Sequence, residues 1–220
     1  MSRRPVRALF FDVGGTLLHP FPSVGAVYAS VANRHGIATT AEAMERAFRQ
    51  SWAALGRTGL TVSRKEWWRE VVFASLGQQN EACFEELYRA FARPEAWRVF
   101  PDVEATLQAA QARGLQIGII SNWDERLRPL LGAVGLARYF KTMTISCEVG
   151  VEKPDAEIFL AALRAAGVTA SETVHIGDSY DHDVRGAEAV GMTAILVDRG
   201  AGEATRLRDL RDVWAKLDVA

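Results

Sequence analysis

Short apolar runs rich in β-branched and aromatic residues recur at 8–13, 115–120, 142–146, 173–176 and 193–197, each about the length of a buried strand. Between the later runs, apolar residues repeat at helical spacing over 103–113, 126–134, 156–166 and 181–190, several of these stretches opening on Asp or Pro. Strand followed by helix, repeated along the chain, predicts a parallel α/β sheet. The stretch 205–217 reads as a closing helix.

The interval from Ser23 to about Ala92 breaks this alternation. It has no good strand and carries four apolar stripes: Val24, Val27, Tyr28 and Val31; Met44, Phe48, Trp52 and Leu55; Trp67, Val71 and Val72; Phe84, Leu87, Tyr88 and Phe91. Four such stripes can bury one another as a helical bundle inserted after the first strand. Residues 93–101, punctuated by Pro94 and Pro101, read as the return linker. The aromatics Trp52, Trp67, Trp68, Phe84 and Phe91 are expected in the bundle core rather than in a substrate cage. The expected organisation is a core from 1–17 and 96–220, with an all-helical cap from 18–95.

Composition narrows the function classes. The chain has 220 residues, 49% of them hydrophobic, and a formal net charge of −1, so it lacks the basic excess that gathers nucleic acid or anionic lipid. A small-molecule substrate is the expected partner, with no nucleic acid and no membrane. Residues 1–7 are basic but run straight into a short apolar segment unlike a signal peptide, and no run of 18 apolar residues follows, so a cytoplasmic location is expected. Cys83 and Cys147 lack metal-type spacing and read as buried, inert thiols. The lysines are Lys65, Lys141, Lys153 and Lys216, which leaves few candidates for a catalytic ammonium.

Reactive side chains fall at the strand ends. Asp12 closes the first apolar run and meets Gly14, Gly15 and Thr16 at once, delivering a carboxylate to a backbone-rich turn. Ligands of a doubly wound sheet bind beyond the carboxyl ends of the strands, where a buried aspartate is a nucleophile or a metal ligand. Taken alone, Asp12 could also be a turn cap. The second strand, however, ends in Ser121 and Asn122, the third leads to Lys153, and the fourth ends in Gly177 and Asp178, with Asp183 close behind. A carboxylate, a hydroxyl, a cation and an acidic pair on one rim suit phosphoryl transfer: one group attacks phosphorus, the others neutralise charge on its oxygens.

The segments FFDVGGTLL, IISN, EKPD and GDSYDHDVRGA resemble, in order, the four motifs of the haloacid-dehalogenase superfamily. The resemblance spans the chain, because the helical insert is similar to that family's C1-type cap, and IISNWDERLRPLL with EVGVEKPD looks like a subgroup of phosphatase-like hydrolases. It implies a parallel, doubly wound, Rossmann-like α/β core with an inserted all-helical cap. It further implies that Asp12 forms an aspartyl-phosphate intermediate, that Ser121 hydrogen-bonds the phosphoryl group of a small phosphorylated substrate and that Lys153 balances charge beside Asp12. Asn122 and Gly15 are expected in substrate binding. Mg²⁺ is the implied cofactor, held by Asp12, Asp178 and the backbone carbonyl of Gly14, with Asp183 as a loop-ordering carboxylate or a direct ligand.

One position departs from the family pattern. Family phosphatases carry a second aspartate two residues after the nucleophile, to protonate the leaving alcohol and activate water; here that residue is Gly14. Such general acid–base help is worth roughly 10² to 10⁴ in rate. A Mg²⁺-dependent phosphohydrolase could spare it with a leaving group that needs no proton, or borrow an acid, Asp124 first and His19 or His182 next. Asp124 can equally cap the helix that follows it. A 2-haloacid dehalogenase also lacks the second aspartate, but Asp178 and Asp183 argue against it. A phosphonate hydrolase would need a cap lysine, for which Lys65 is the sole candidate. A non-catalytic domain that binds Mg²⁺ and phosphoryl groups for regulation is the last alternative. Arg57, Arg64 and Arg69 are read as solvated helix faces rather than substrate contacts.

Overall fold

The computed structural model describes residues 5–55, 64–199 and 207–217. The chain divides into two compact units, Met1–Leu18 with Val99–Ala220, and His19–Arg98.

The first unit is built on a five-stranded sheet in the order β5-β4-β1-β6-β7, from β1 (Ala8–Phe11), β4 (Gln116–Ser121), β5 (Thr142–Ile145), β6 (Thr173–Gly177) and β7 (Thr193–Leu196). Every pairing is parallel. β1 is central, with Phe11 opposite Ile119 on one side and Ile176 on the other, and all four of its residues are buried, as a strand covered on both faces requires. The sheet thus reverses its winding around β1, and the crevice beyond that strand's carboxyl end is where such folds place their chemistry.

Helices α5 (Val103–Ala112), α6 (Leu127–Ala133), α8 (Ala156–Ala166) and α9 (Arg185–Ala189) connect the strands, with a short α7 (Ser146–Val149) after β5. α8 shows how locally the sequence encodes them: the Asp155 side chain caps its start, Gly167 in the left-handed region ends it, and Ile158, Phe159, Ala162, Leu163 and Ala166 form its buried stripe. Three expectations need correction. The run 142–146 is strand only to Ile145, because Ser146 opens α7. The run 181–190 is not one α-helix: Ser179 caps a single π-helical turn, Tyr180–Val184, which then feeds α9. The closing segment is a 3₁₀ turn, Leu210–Asp212, followed by α10 (Val213–Leu217), while 205–206 lie outside the described residues.

The second unit packs α1 (Val24–Arg34), α2 (Ala41–Leu55), α3 (Arg64–Leu76) and α4 (Glu81–Ala90), with Ser23 and Asn80 capping α1 and α4 through their side chains. Tyr28, Met44, Val72, Phe84 and Leu87 centre its core, and the aromatics pack edge to face, Trp52 on Trp67 at 5.1 Å and Trp67 on Trp68 at 4.9 Å between ring centroids. A two-stranded ribbon of β2 (Leu18–Pro20) and β3 (Trp97–Val99) lies where the chain passes between units; the linker reading of 93–101 missed it, since strands this short leave no periodic signal. Among the described residues no helix is long and apolar enough to cross a membrane.

Candidate active site

Asp12 follows β1 directly and is 8% exposed, its N–H held by the carbonyl of Ile176 at 2.9 Å. From β4 next door, the Ser121 hydroxyl donates to Asp12 Oδ1 at 3.0 Å. Lys153 Nζ donates to the same oxygen at 2.6 Å and to Asp183 Oδ1 at 2.5 Å. Both Ser121 and Lys153 are buried, so these interactions act in a medium that strengthens them well beyond their value in water. Both donors converge on Oδ1 of Asp12.

Asp183 is the second partner of that ammonium and the reason for the π turn. The wider turn carries its carboxylate inward, where Oδ1 also meets His175 Nε2 at 2.9 Å and Oδ2 accepts from the Ser179 N–H at 3.0 Å. A carboxylate only accepts, so Nε2 is the protonated nitrogen of His175. Burial works against the charge of Asp183, but the Lys153 ammonium and the His175 hydrogen bond outweigh it and hold the carboxyl well below the usual range. Lys153 shows the converse: burial opposes its charge, yet Asp12 and Asp183 keep it raised.

Asp178 stands just past β6. The residue is exposed, but its carboxyl faces into the site, and desolvation there, followed by the negative charges of Asp12 and Asp183, pushes it up to about 7, with Lys153 opposing. Asp12, Asp178 and Asp183 each offer an oxygen, and these atoms lie within 4.8 Å of one another. A crowded all-oxygen set with excess negative charge suits a hard divalent cation of the Mg²⁺ type. Asp183 already has both oxygens engaged, which leaves Asp12 and Asp178 as the carboxylates suited to hold it.

Other predicted residues have definite places. Gly15 has φ +78, and a Cβ there would overlap the Asp178 carboxylate, so both conformation and space demand glycine. Gly14 forms an isolated β-bridge with Leu18, and a Cβ built on it would lie 3.2 Å from Cζ3 of the Trp123 indole. Asn122 commits its carboxamide to the backbone of Lys153, at 2.9 and 2.7 Å. Asp124, the first candidate for a borrowed acid, is buried and grips Arg126 through its backbone N–H and its guanidinium, the closest contact being 2.6 Å. His182 Nδ1 lies 2.8 Å from Ser179 Oγ, and His19 Nδ1 lies 3.1 Å from the Pro20 carbonyl.

In the helical unit, Lys65 pairs with Glu85 at 2.6 Å and Arg69 with Glu81 at 3.1 Å; Arg64 lies 6.0 Å from the Trp67 ring, and Arg57 falls outside the described residues. Both cysteines are free, Cys83 buried but Cys147 only half-buried, contrary to the reading of two buried thiols.

Sequence reasoning missed three supporting contacts. Ser146 Oγ accepts from the Trp123 N–H and donates to the Trp123 carbonyl, both at 3.1 Å, which pins the loop after β4. His175 backs Asp183 from inside β6; a histidine within an apolar strand run was its one available signal. Arg199 joins Asp102 Oδ2 at 2.6 Å to the carbonyl of Thr16 at 2.7 Å, steadying the turn after Asp12.

This arrangement can be compared with known proteins. The family model of haloacid dehalogenase-like hydrolases matches residues 6–191. The chain belongs to that family. As a family member it is a hydrolase with the parallel α/β core described above. Among its relatives, haloacid dehalogenase-like hydrolase domain-containing protein 3 of Bos taurus is 37% identical over 89% of this chain and 83% of its own. The phosphoserine phosphatase of Thermus thermophilus is 33% identical over 95% and 98% of the two chains. The crystal structure of a phosphatase of the family from Thermococcus onnurineus superposes with a TM-score of 0.71 at 25% identity, covering 97% of this chain and 98% of that one.

Proposed function

We propose that this hydrolase is a Mg²⁺-dependent phosphohydrolase acting on a small phosphorylated metabolite through an aspartyl-phosphate on Asp12. The observation that carries the reading is the double clamp on Lys153: one buried ammonium lies between Asp12 and Asp183 and offsets part of their charge, with the Ser121 hydroxyl on the same Asp12 oxygen and Asp178 close enough to share a metal ion with Asp12. The phosphatases among the relatives support the same choice.

In this reading the Asp12 carboxylate attacks phosphorus and the bond to the leaving group breaks. Ser121 and Lys153 donate to the phosphoryl oxygens as charge moves onto them. A bound Mg²⁺, held by Asp12 and Asp178, would supply further neutralisation of the phosphoryl charge. Asp183 and Asn122 keep Lys153 in place from opposite ends, its side chain and its backbone. The carboxylate trio weighs against metal-independent 2-haloacid dehalogenation, and the pairing of Lys65 with Glu85 weighs against a Schiff-base role for the candidate amine of a phosphonate hydrolase.

The test is a screen of phosphate esters, acyl phosphates and 2-haloacids with and without Mg²⁺. Phosphate release that is abolished by EDTA and by Asp12→Asn is the expected result. Halide release without metal would overturn the proposal, and Mg²⁺ binding with no turnover of any class would favour a regulatory protein.

A further inference from the structure

Gly14 and Trp123 form a single feature. The indole stands close enough that even a methyl group at position 14 would press on Cζ3 at 3.2 Å, within the range where a neighbour has to give way. The backbone that carries Trp123 is held in place: Ser146 Oγ brackets its N–H and carbonyl, and the Cys147 N–H donates to the same carbonyl at 3.3 Å. On its other side Asn122 is locked to Lys153. The edge of an aromatic ring therefore occupies the volume into which a side chain of residue 14 would project, two residues along the chain from the nucleophile.

The polar groups beside Asp12 have other tasks than protonating a leaving group. Ser121 and Lys153 donate to carboxylates here and suit the phosphoryl oxygens, Asp178 is suited to hold a metal, and Asp124 is an acceptor paired with Arg126. A leaving group that departs beside them leaves without a proton, with the apolar ring of Trp123 at the turn that follows Asp12.

We propose that Trp123 is the specificity-determining residue of this site, and that it selects phosphoryl donors whose leaving group is planar and departs as a stable anion: aryl, enol or acyl phosphates in preference to alkyl phosphates. The proposal rests on the phosphohydrolase reading above. The step balances without an acid. Asp12 donates an electron pair to phosphorus, the P–O bond breaks with its pair leaving on the planar oxyanion, and that anion takes its proton from solvent. Water then attacks the phosphorus of the aspartyl-phosphate, the carboxylate of Asp12 returns with its pair, and the water proton goes to solvent with the phosphate.

The experiment compares p-nitrophenyl phosphate, phenyl phosphate and glycerol phosphate, with MgCl₂, in the wild-type chain, Trp123→Leu and Trp123→Phe. Wild type should turn over p-nitrophenyl phosphate at least about 10²-fold faster than glycerol phosphate, the low end of what missing acid catalysis costs. Trp123→Leu should lose about 5- to 10-fold in kcat/KM for the aryl esters, mainly in KM, and stay within about twofold for glycerol phosphate, while Trp123→Phe keeps the aryl preference. Equal wild-type turnover of aryl and alkyl esters would overturn the proposal and leave the phosphohydrolase reading standing. So would an aryl-to-alkyl ratio in Trp123→Leu equal to that of wild type. Should Trp123→Leu fail to fold, Trp123→Met takes its place: a fall in its aryl-to-alkyl ratio supports the proposal and a ratio equal to that of wild type overturns it. No phosphate release from any of the three esters would overturn both readings together.

Discussion

The carboxamide of Asn122 and the peptide group of Lys153 exchange two hydrogen bonds, Nδ2 donating to the lysine carbonyl at 2.9 Å and the lysine N–H donating to Oδ1 at 2.7 Å. This reciprocal pair fixes where the Lys153 side chain begins, and so where its ammonium ends, between Asp12 and Asp183. Replacing Asn122 by Ala should cost about 1–3 kcal/mol of stability, the net worth of two such bonds, and lower phosphate release by about 10- to 100-fold through misplacement of the ammonium. Denaturant titration and steady-state kinetics check the two halves separately, and an undisturbed kcat in Asn122→Ala would remove the positioning argument.

Lys153→Met should be more damaging. It leaves two buried carboxylates facing each other without a counter-charge, a loss of about 3–5 kcal/mol. Lys153→Arg should rescue little, because the site around an ammonium that is 3% exposed has no room for a planar guanidinium. Urea unfolding of both variants tests this, and a Lys153→Met chain as stable as wild type would contradict it.

Asp178→Asn should act in opposite directions on the metal-free and metal-loaded protein. With its carboxyl pushed up to about 7, Asp178 is charged at pH 8 at a cost to the fold, since the unfolded chain ionises it freely. The amide removes that cost, so the metal-free variant should melt higher than wild type at pH 8. Millimolar MgCl₂ should raise the wild-type melting temperature and leave the variant nearly unmoved. Equal Mg²⁺ shifts in the two proteins would argue against Asp178 as a ligand.

Gly14→Asp on its own should melt lower than wild type and gain no activity, because its side chain meets the Trp123 indole. Combining it with Trp123→Ala should relieve the contact and raise turnover of glycerol phosphate by about 10-fold or more relative to Trp123→Ala alone. Melting curves and kinetics of the four-member cycle measure the coupling, and strictly additive effects would separate the two residues.

Asp124→Asn should keep turnover within about twofold of wild type while lowering stability by about 1–3 kcal/mol, since its carboxylate serves Arg126 rather than substrate. A large fall in kcat, with stability intact, would restore it as the missing acid.

The strands were legible because the sheet buries them on both faces, and continuous apolar runs such as 8–11 and 173–177 survive reading in one dimension. Asp12, Ser121 and Asp178 were legible for a related reason: each stands at or just past a strand end, where a polar residue interrupts an apolar pattern, whereas Lys153 lies beyond α7 and Asp183 within the π turn. The π turn was not, because Asp181 and Asp183 are compatible with an ordinary helix start and only the pull of Lys153 and His175 on one of them widens the turn. Trp123 was equally hidden. Its importance lies in its distance to a glycine more than one hundred residues earlier, a relation that no local window contains.

The central place of β1 has a consequence for the order of assembly. Asp12 is synthesised well before its hydrogen-bond partners Ser121 and Lys153, which lie 109 and 141 residues further on, and in the sheet β1 lies between β4 and β6. Such long-range pairings form late and slowly. During synthesis the nucleophile is therefore a lone carboxylate on an unpaired apolar strand, and it acquires its counter-ion only after the chain has been extended as far as Lys153.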